Sequence, residues 1–133
     1  MCQRFFERIF KVKFPKKRPE WLLNPISRGQ MHLDGYNAQL KLAFELNGPQ
    51  HYQMYPKYHK SHTDFFHQKE LDVLKAELCK KQGIILIVVS YWLGYNEFLK
   101  HIIKEYTRLT GNTLKNIPKY DWSKFKRPDS NLK

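Results

Sequence analysis

An α/β domain with a small mixed β-sheet flanked by α-helices is the fold class this sequence predicts, and three observations lead there. Ile84-Ile85-Leu86-Ile87-Val88-Val89 is an unbroken, largely β-branched run, the pattern of a central strand covered on both faces. Residues 63–82 carry Phe65, Phe66, Leu71, Leu74 and Leu78 at helical spacing, and Gly83 is a fitting C-terminal stop. Upstream, two apolar segments place the carboxylates of Asp34 and Glu45 on what read as adjacent strands.

Taken in order, Arg4 to Val12 carries Phe5, Phe6, Ile9 and Phe10 at helical spacing, which predicts a short amphipathic helix ended by Pro15 and Pro19. Trp21-Leu22-Leu23 before Asn24-Pro25 reads as a hydrophobic anchor ahead of a turn, and Ser27-Arg28-Gly29-Gln30 reads as a loop. Strands are expected at His32 to Tyr36 and Leu40 to Leu46, then a polar connection rich in tyrosine and histidine from Asn47 to Ser61. The long helix and the β-branched strand follow, and Asn96 to Leu109 reads as a last helix ended near Gly111. The tail, 112–133, mixes basic residues with Tyr120, Trp122 and Phe125 and has no clear period; it is expected as an irregular extension packed back on the core. The chain of 133 residues reads as a single domain, with its core at about 4–110.

The two carboxylates carry the chemistry. Apolar neighbours flank Glu45, so its strand should be largely buried, and a buried carboxylate is costly unless it is paired or holds a metal. A turn around Ala38 to Lys41 sets Asp34 opposite Glu45 on an antiparallel hairpin, with Cβ atoms roughly 4.5–5.5 Å apart. Like charges that close repel, and a hard cation that prefers oxygen relieves the conflict. A register shifted by one residue would send the two side chains to opposite faces, and spacing alone leaves that alternative open.

The chain holds 24 basic and 12 acidic residues, a net charge of +12. Residues 1–23 carry seven basic against two acidic and 112–133 six against two, whereas the middle is nearly balanced at eleven against eight. Basic ends around a balanced centre suit a nucleic-acid partner whose phosphates are met by Lys16, Lys17, Arg18 and by Lys124, Lys126, Arg127. Solubilising lysines are the plainer explanation of the same excess. Cys2 and Cys79 are too few and too far apart for a disulfide framework, which points to a reducing, intracellular setting. No apolar run approaches the roughly 18 residues of a membrane span, and no secretory signal core is present, so a soluble protein without a membrane partner is expected.

On the long helix, Gln68, Asp72 and Lys75 recur at spacings of four and three and share one face. Gln68 and Lys75 are expected to face a cleft, while Asp72 is expected in a local ion pair with Lys75 worth a few tenths of a kcal/mol. His51, His59, His62, His67 and Cys79 crowd one region, but their spacing matches no closed zinc pattern, and the loop is expected instead to approach a nucleic-acid backbone through Lys57, Lys60 and its tyrosines. His32 and His101 read as structural or exposed.

The segments Arg18-Pro19-Glu20-Trp21-Leu22, Leu33-Asp34-Gly35-Tyr36 and Ala43-Phe44-Glu45-Leu46-Asn47-Gly48-Pro49-Gln50-His51-Tyr52, followed by Gln68, Asp72, Lys75 and Cys79 before Gly83-Ile84, resemble the PD-(D/E)XK, restriction-endonuclease-like nuclease superfamily. The likeness runs from about Phe5 to Tyr91 and is nearest the branch of very-short-patch repair endonucleases and of small nuclease domains in large DNA viruses and mobile elements. It implies a restriction-endonuclease-like core and a divalent-metal-dependent DNA endonuclease, with a place in DNA repair or recombination. Mg2+ is the implied cofactor, with Mn2+ as a substitute, and duplex or branched DNA the implied partner; a homodimer is not indicated. Products with 5′-phosphate and 3′-hydroxyl ends are implied as well.

Carried over by motif, Asp34 becomes the metal-bridging aspartate, Glu45 the acid of the E-x-K element, and Leu46 a source of a carbonyl oxygen to the metal. Asn47 stands where many members have lysine, and His51 takes the proton-transfer role, with Gln50 and Asn47 positioning water or phosphate. Glu7, in the first helix, is the candidate for the further acid often found there, with Glu20 next. The missing lysine also supports another class: a nucleic-acid-binding module on a decayed nuclease fold.

Overall fold

The computed structural model of the chain describes residues 2–48, 51, 53, 59–90, 92, 93 and 95–114. The expected extension from 115 onward, with Lys124, Lys126 and Arg127, lies outside these, as do Gln50 and Lys57.

Six elements form in the expected order. They are α1 (Cys2–Phe10), β1 (Gly35–Asn37), β2 (Leu42–Asn47), α2 (His62–Lys81), β3 (Ile85–Ser90) and α3 (Tyr95–Thr110). The three strands make one mixed sheet in the order β1-β2-β3, antiparallel between β1 and β2 and parallel between β2 and β3.

α1 ends two residues earlier than expected because Lys11 turns into the left-handed region at φ 61°, while its N–H still donates to the Glu7 carbonyl. β1 is shorter than expected. Leu33 pairs instead with Lys17, exchanging backbone bonds of 2.8 and 3.1 Å, so the strand's approach is stitched to the segment after α1. The anchor 21–23 holds only in part: Leu22 is fully buried and Trp21 meets Tyr36 edge-on at 6.3 Å, but Leu23 is exposed.

α2 starts on Ser61, whose Oγ accepts from the Asp64 N–H, while the Asp64 carboxylate accepts from the Lys60 N–H at 2.8 Å. It closes at Gly83, which takes a positive φ of 72° as a residue after a helix end does. Its apolar side is thinner than the spacing predicts, because Phe66 is exposed and Cys79 is its buried residue.

β3 corrects an expectation. Its side chains alternate into both layers, yet among the described residues it is the edge of the sheet and not its centre. Apolar side chains on both faces require only that helices cover both faces, and they do. α3 lies on one side, with His101 Nε2 2.7 Å from the Val88 carbonyl oxygen, and α2 on the other.

The sheet separates two cores. Leu42 and Phe44 of β2, with Ile87 and Val89 of β3, pack with Phe5 and Phe6 of α1 and with Phe98 and Ile102 of α3. Phe6 stacks on Phe44 at 4.5 Å and Phe5 on Phe98 at 4.9 Å. Ala43, on the opposite face of β2, packs with Leu22, Leu33, Ile84 and Cys79 of α2. Alternation along β2 therefore carries Glu45 to the α2 side. Gly35, beside Asp34, is fixed by the other face: a Cβ there would overlap the Phe44 ring.

Both cysteines are free and buried. Burial, helped by the Glu45 carboxylate and opposed by Lys75, pushes the Cys79 thiol up to about 11, and burial also raises the Cys2 thiol. At pH 8 only about a thousandth of Cys79 would be thiolate. We expect neither thiol to react with Ellman's reagent in the native protein at pH 8 and both to react once the chain is unfolded in guanidinium; rapid native reaction would contradict this packing. No helix among the described residues is long and apolar enough to cross a membrane.

Candidate functional site

Asp34 and Glu45 face one another as the hairpin predicts. The register Gly35↔Phe44, Tyr36↔Ala43, Asn37↔Leu42 runs on to set Asp34 against Glu45. The turn forms through Asn37 Oδ1, which accepts from the Leu40 N–H at 2.9 Å, and through Lys41 at φ 52°.

The two acids then lock each other in place. Glu45 Oε1 accepts from the Asp34 backbone N–H at 3.0 Å, and Asp34 Oδ2 accepts from the Leu46 backbone N–H at 2.9 Å. Each carboxylate is thus oriented by the other's strand and not by a flexible side chain. Glu45 is 7 % exposed, and burial pushes its carboxyl above the usual carboxylate range, although Lys75 and the Asp34 N–H oppose the shift.

Lys75, His32 and a hydrogen-bonded pair complete the wall of a cavity of about 410 Å³. Lys75 Nζ lies 3.2 Å from Glu45 Oε2, and His32 Nε2 lies 3.4 Å from Asp34 Oδ1. Burial first, then the Lys75 charge, lowers the His32 pKa, so the ring favours its neutral form. Across the cavity, His51 Nδ1 sits 2.8 and 2.9 Å from the two oxygens of Asp72, and Gln68 Nε2 donates to Asp72 Oδ1 at 3.2 Å. An ionised carboxylate only accepts, so Nδ1 carries the hydrogen in this bond, and in the neutral ring the lone pair lies on Nε2. The expected local pair of Asp72 with Lys75 does not form. Each reaches a partner on another element instead, because Glu45 and His51 are the more buried groups and gain more from a partner than an exposed local pair does.

Of the remaining expected residues, Leu46 lines the same cavity. Asn47 ends β2 opposite Ser90, outside the cavity lining. Glu7 is not brought to the site. Its Oε2 accepts from the Phe14 N–H at 2.8 Å, bracing the chain after α1, and it lines a separate hollow with Lys11, Val12 and Lys13. Glu20 is exposed. Lys16, Lys17 and Arg18 are exposed on the segment paired with Leu33, one residue from Asp34, and Lys60 is exposed at the start of α2.

His32 is the residue that sequence reasoning placed outside the site, although its two-residue spacing from Asp34 was the signal that could have included it. The histidine cluster does not assemble: His59 packs edge-on to Phe65 at 5.6 Å, His67 pairs with Glu70, and among the described residues no three His, Cys, Asp or Glu converge to hold a metal ion. The donor set at the cleft is two carboxylates beside Leu46. Two carboxylates are the kind of donor set that can hold Mg2+, which is bound by one or two carboxylates and keeps several waters.

No protein-family profile matches the chain, and no solved structure does. Three curated viral proteins do match. Uncharacterized protein 033L of Invertebrate iridescent virus 3 is 39 % identical over 96 residues, 72 % of this chain and 50 % of the relative. Uncharacterized protein 307L of Invertebrate iridescent virus 6 is 33 % identical over 141 residues, 95 % of this chain and 61 % of the relative. Uncharacterized protein 094L of Frog virus 3 (isolate Goorha) is 37 % identical over 91 residues, 68 % of this chain and 59 % of the relative. The chain spans between half and about three fifths of the length of these relatives, all of them viral proteins.

Proposed function

We propose that this protein is a divalent-metal-dependent DNA endonuclease on a restriction-endonuclease-like core. The observation that carries the reading is the convergence, in one cleft, of two strand-locked carboxylates and a histidine braced by a carboxylate. One half suits a hard cation and the other suits moving a proton.

Asp34, Glu45 and Leu46 would hold Mg2+, or Mn2+ in its place. When bound, the ion supplies Lewis-acid stabilisation of the charge that develops on the phosphate. Asp72 holds His51 with Nε2 free to accept a proton from the attacking water. The water oxygen bonds to phosphorus in line with the 3′-oxygen, the P–O3′ bond breaks, and the alkoxide takes a proton from solvent. The products then carry 5′-phosphate and 3′-hydroxyl ends.

The absence of lysine at Asn47 favours a second reading, a binding module on a decayed nuclease fold. The intact set of Asp34, Glu45 and the braced His51 weighs against it. The deciding experiment is a cleavage assay with Mn2+ on plasmid, single-stranded and branched DNA, run beside Asp34→Ala. Cleavage by the wild type alone supports the endonuclease; DNA binding without cleavage on any substrate supports the module.

The exposed cluster Lys16, Lys17 and Arg18 flanks the approach to Asp34. Replacing all three with glutamine should weaken DNA binding uniformly across sequences and reduce the salt slope by roughly 0.9 per lost phosphate contact. Affinity measured against salt concentration checks this, and an unchanged slope would leave the cluster as a solvated surface.

A further inference from the structure

We infer that Lys75 is a tethered counter-cation that stands at Glu45 in the absence of the divalent metal and must leave it for the metal to bind, so that this lysine sets the metal concentration at which the site fills. The inference rests on the metal site proposed above.

Each carboxylate oxygen of the pair already has a partner. Asp34 Oδ2 and Glu45 Oε1 are taken by backbone N–H groups, Asp34 Oδ1 faces His32 at 3.4 Å, and Glu45 Oε2 faces Lys75 Nζ at 3.2 Å. The two backbone bonds are built into the hairpin and stay. Asp34 and Glu45 would offer a metal ion chiefly their outward oxygens, which are the ones His32 and Lys75 face. The His32 side chain is 39 % exposed and can turn aside into solvent. The Lys75 ammonium cannot share the ion and has to move away, because two like charges at that spacing repel strongly in a cleft where the Lys75 and Glu45 side chains are only 17 % and 9 % exposed.

The lysine can move. Its flexible four-carbon stem starts from α2 and borders the cavity of about 410 Å³. Holding Glu45 without metal is also useful to the fold, since a buried unpaired carboxylate beside a second one is costly.

The test is calorimetric titration with Mn2+ alone, with no DNA and no cleavage, at pH 8. Lys75→Met should bind Mn2+ at least tenfold more tightly than the wild type, and Mn2+ should raise its melting temperature further. Lys75→Gln, which keeps a hydrogen-bond donor for Glu45 while removing the charge, should shift affinity in the same direction and serves if the methionine variant does not fold. Asp34→Asn should abolish binding in both backgrounds. If Asp34→Asn binds normally, the metal site itself is wrong and this inference falls with it. If Asp34→Asn abolishes binding while both Lys75 variants bind like the wild type or more weakly, the metal site stands and the counter-cation is overturned.

Discussion

Asp34→Asn and Glu45→Gln should each remove DNA cleavage by several orders of magnitude while leaving the fold in place. The fold should survive because each amide keeps an oxygen where the backbone needs one: Asn can still accept from the Leu46 N–H, and Gln from the Asp34 N–H. What each loses is the anionic charge that binds and orients the cation, and Lewis-acid stabilisation accounts for several kcal/mol of a phosphoryl-transfer barrier, where every 1.36 kcal/mol is about tenfold in rate. Single-turnover cleavage with Mn2+, with circular dichroism as the folding control, measures both sides. Full activity in the Asp34 variant would remove Asp34 from the chemistry.

The second large effect belongs to His51 and the carboxylate behind it. His51→Ala should lower the rate by roughly 10²–10⁴, the usual contribution of a positioned proton acceptor. Asp72→Asn tests orientation apart from chemistry. An asparagine amide can donate to Nδ1, which favours the tautomer with the proton on Nε2 and leaves no lone pair facing the water. That variant should therefore lose rate with little change in DNA affinity. A normal rate in His51→Ala would mean that the ring only shapes its loop.

The Asp34–Glu45 pairing was legible because it depends on local rules: period-two alternation, and a turn short enough to hold the register. The face Gln68, Asp72, Lys75 was legible as a face for the same kind of reason. Its partners were not. Asp72 meets a residue 21 positions away and Lys75 one 30 positions away, and only the packing of α2 over the Ala43–Glu45 side of the sheet brings them within reach. Spacing favoured the local pair because nothing in the sequence states how deeply a distant partner is buried. β3 was misread for a related reason: a two-sided apolar strand reports that both faces are covered, not how many strands lie beside it. Glu7 looked catalytic as the one acid of its helix, yet an orphan N–H at Phe14, seven residues on, claims it.

Because Asp72 and Lys75 ride on the same helix less than one turn apart, the proton-handling half and the cation-handling half of the cleft are geared together. A slide or roll of α2 would therefore act on both contacts in the same motion. Cys79 is the axle of that gearing. It lies one turn beyond Lys75, fully buried against Leu22, Leu33 and Ala43, where a larger side chain would lift the whole helix from the sheet. Evolution can tune the two halves separately only by exchanging residues on the helix face, whereas any change in how the helix is seated alters both at once.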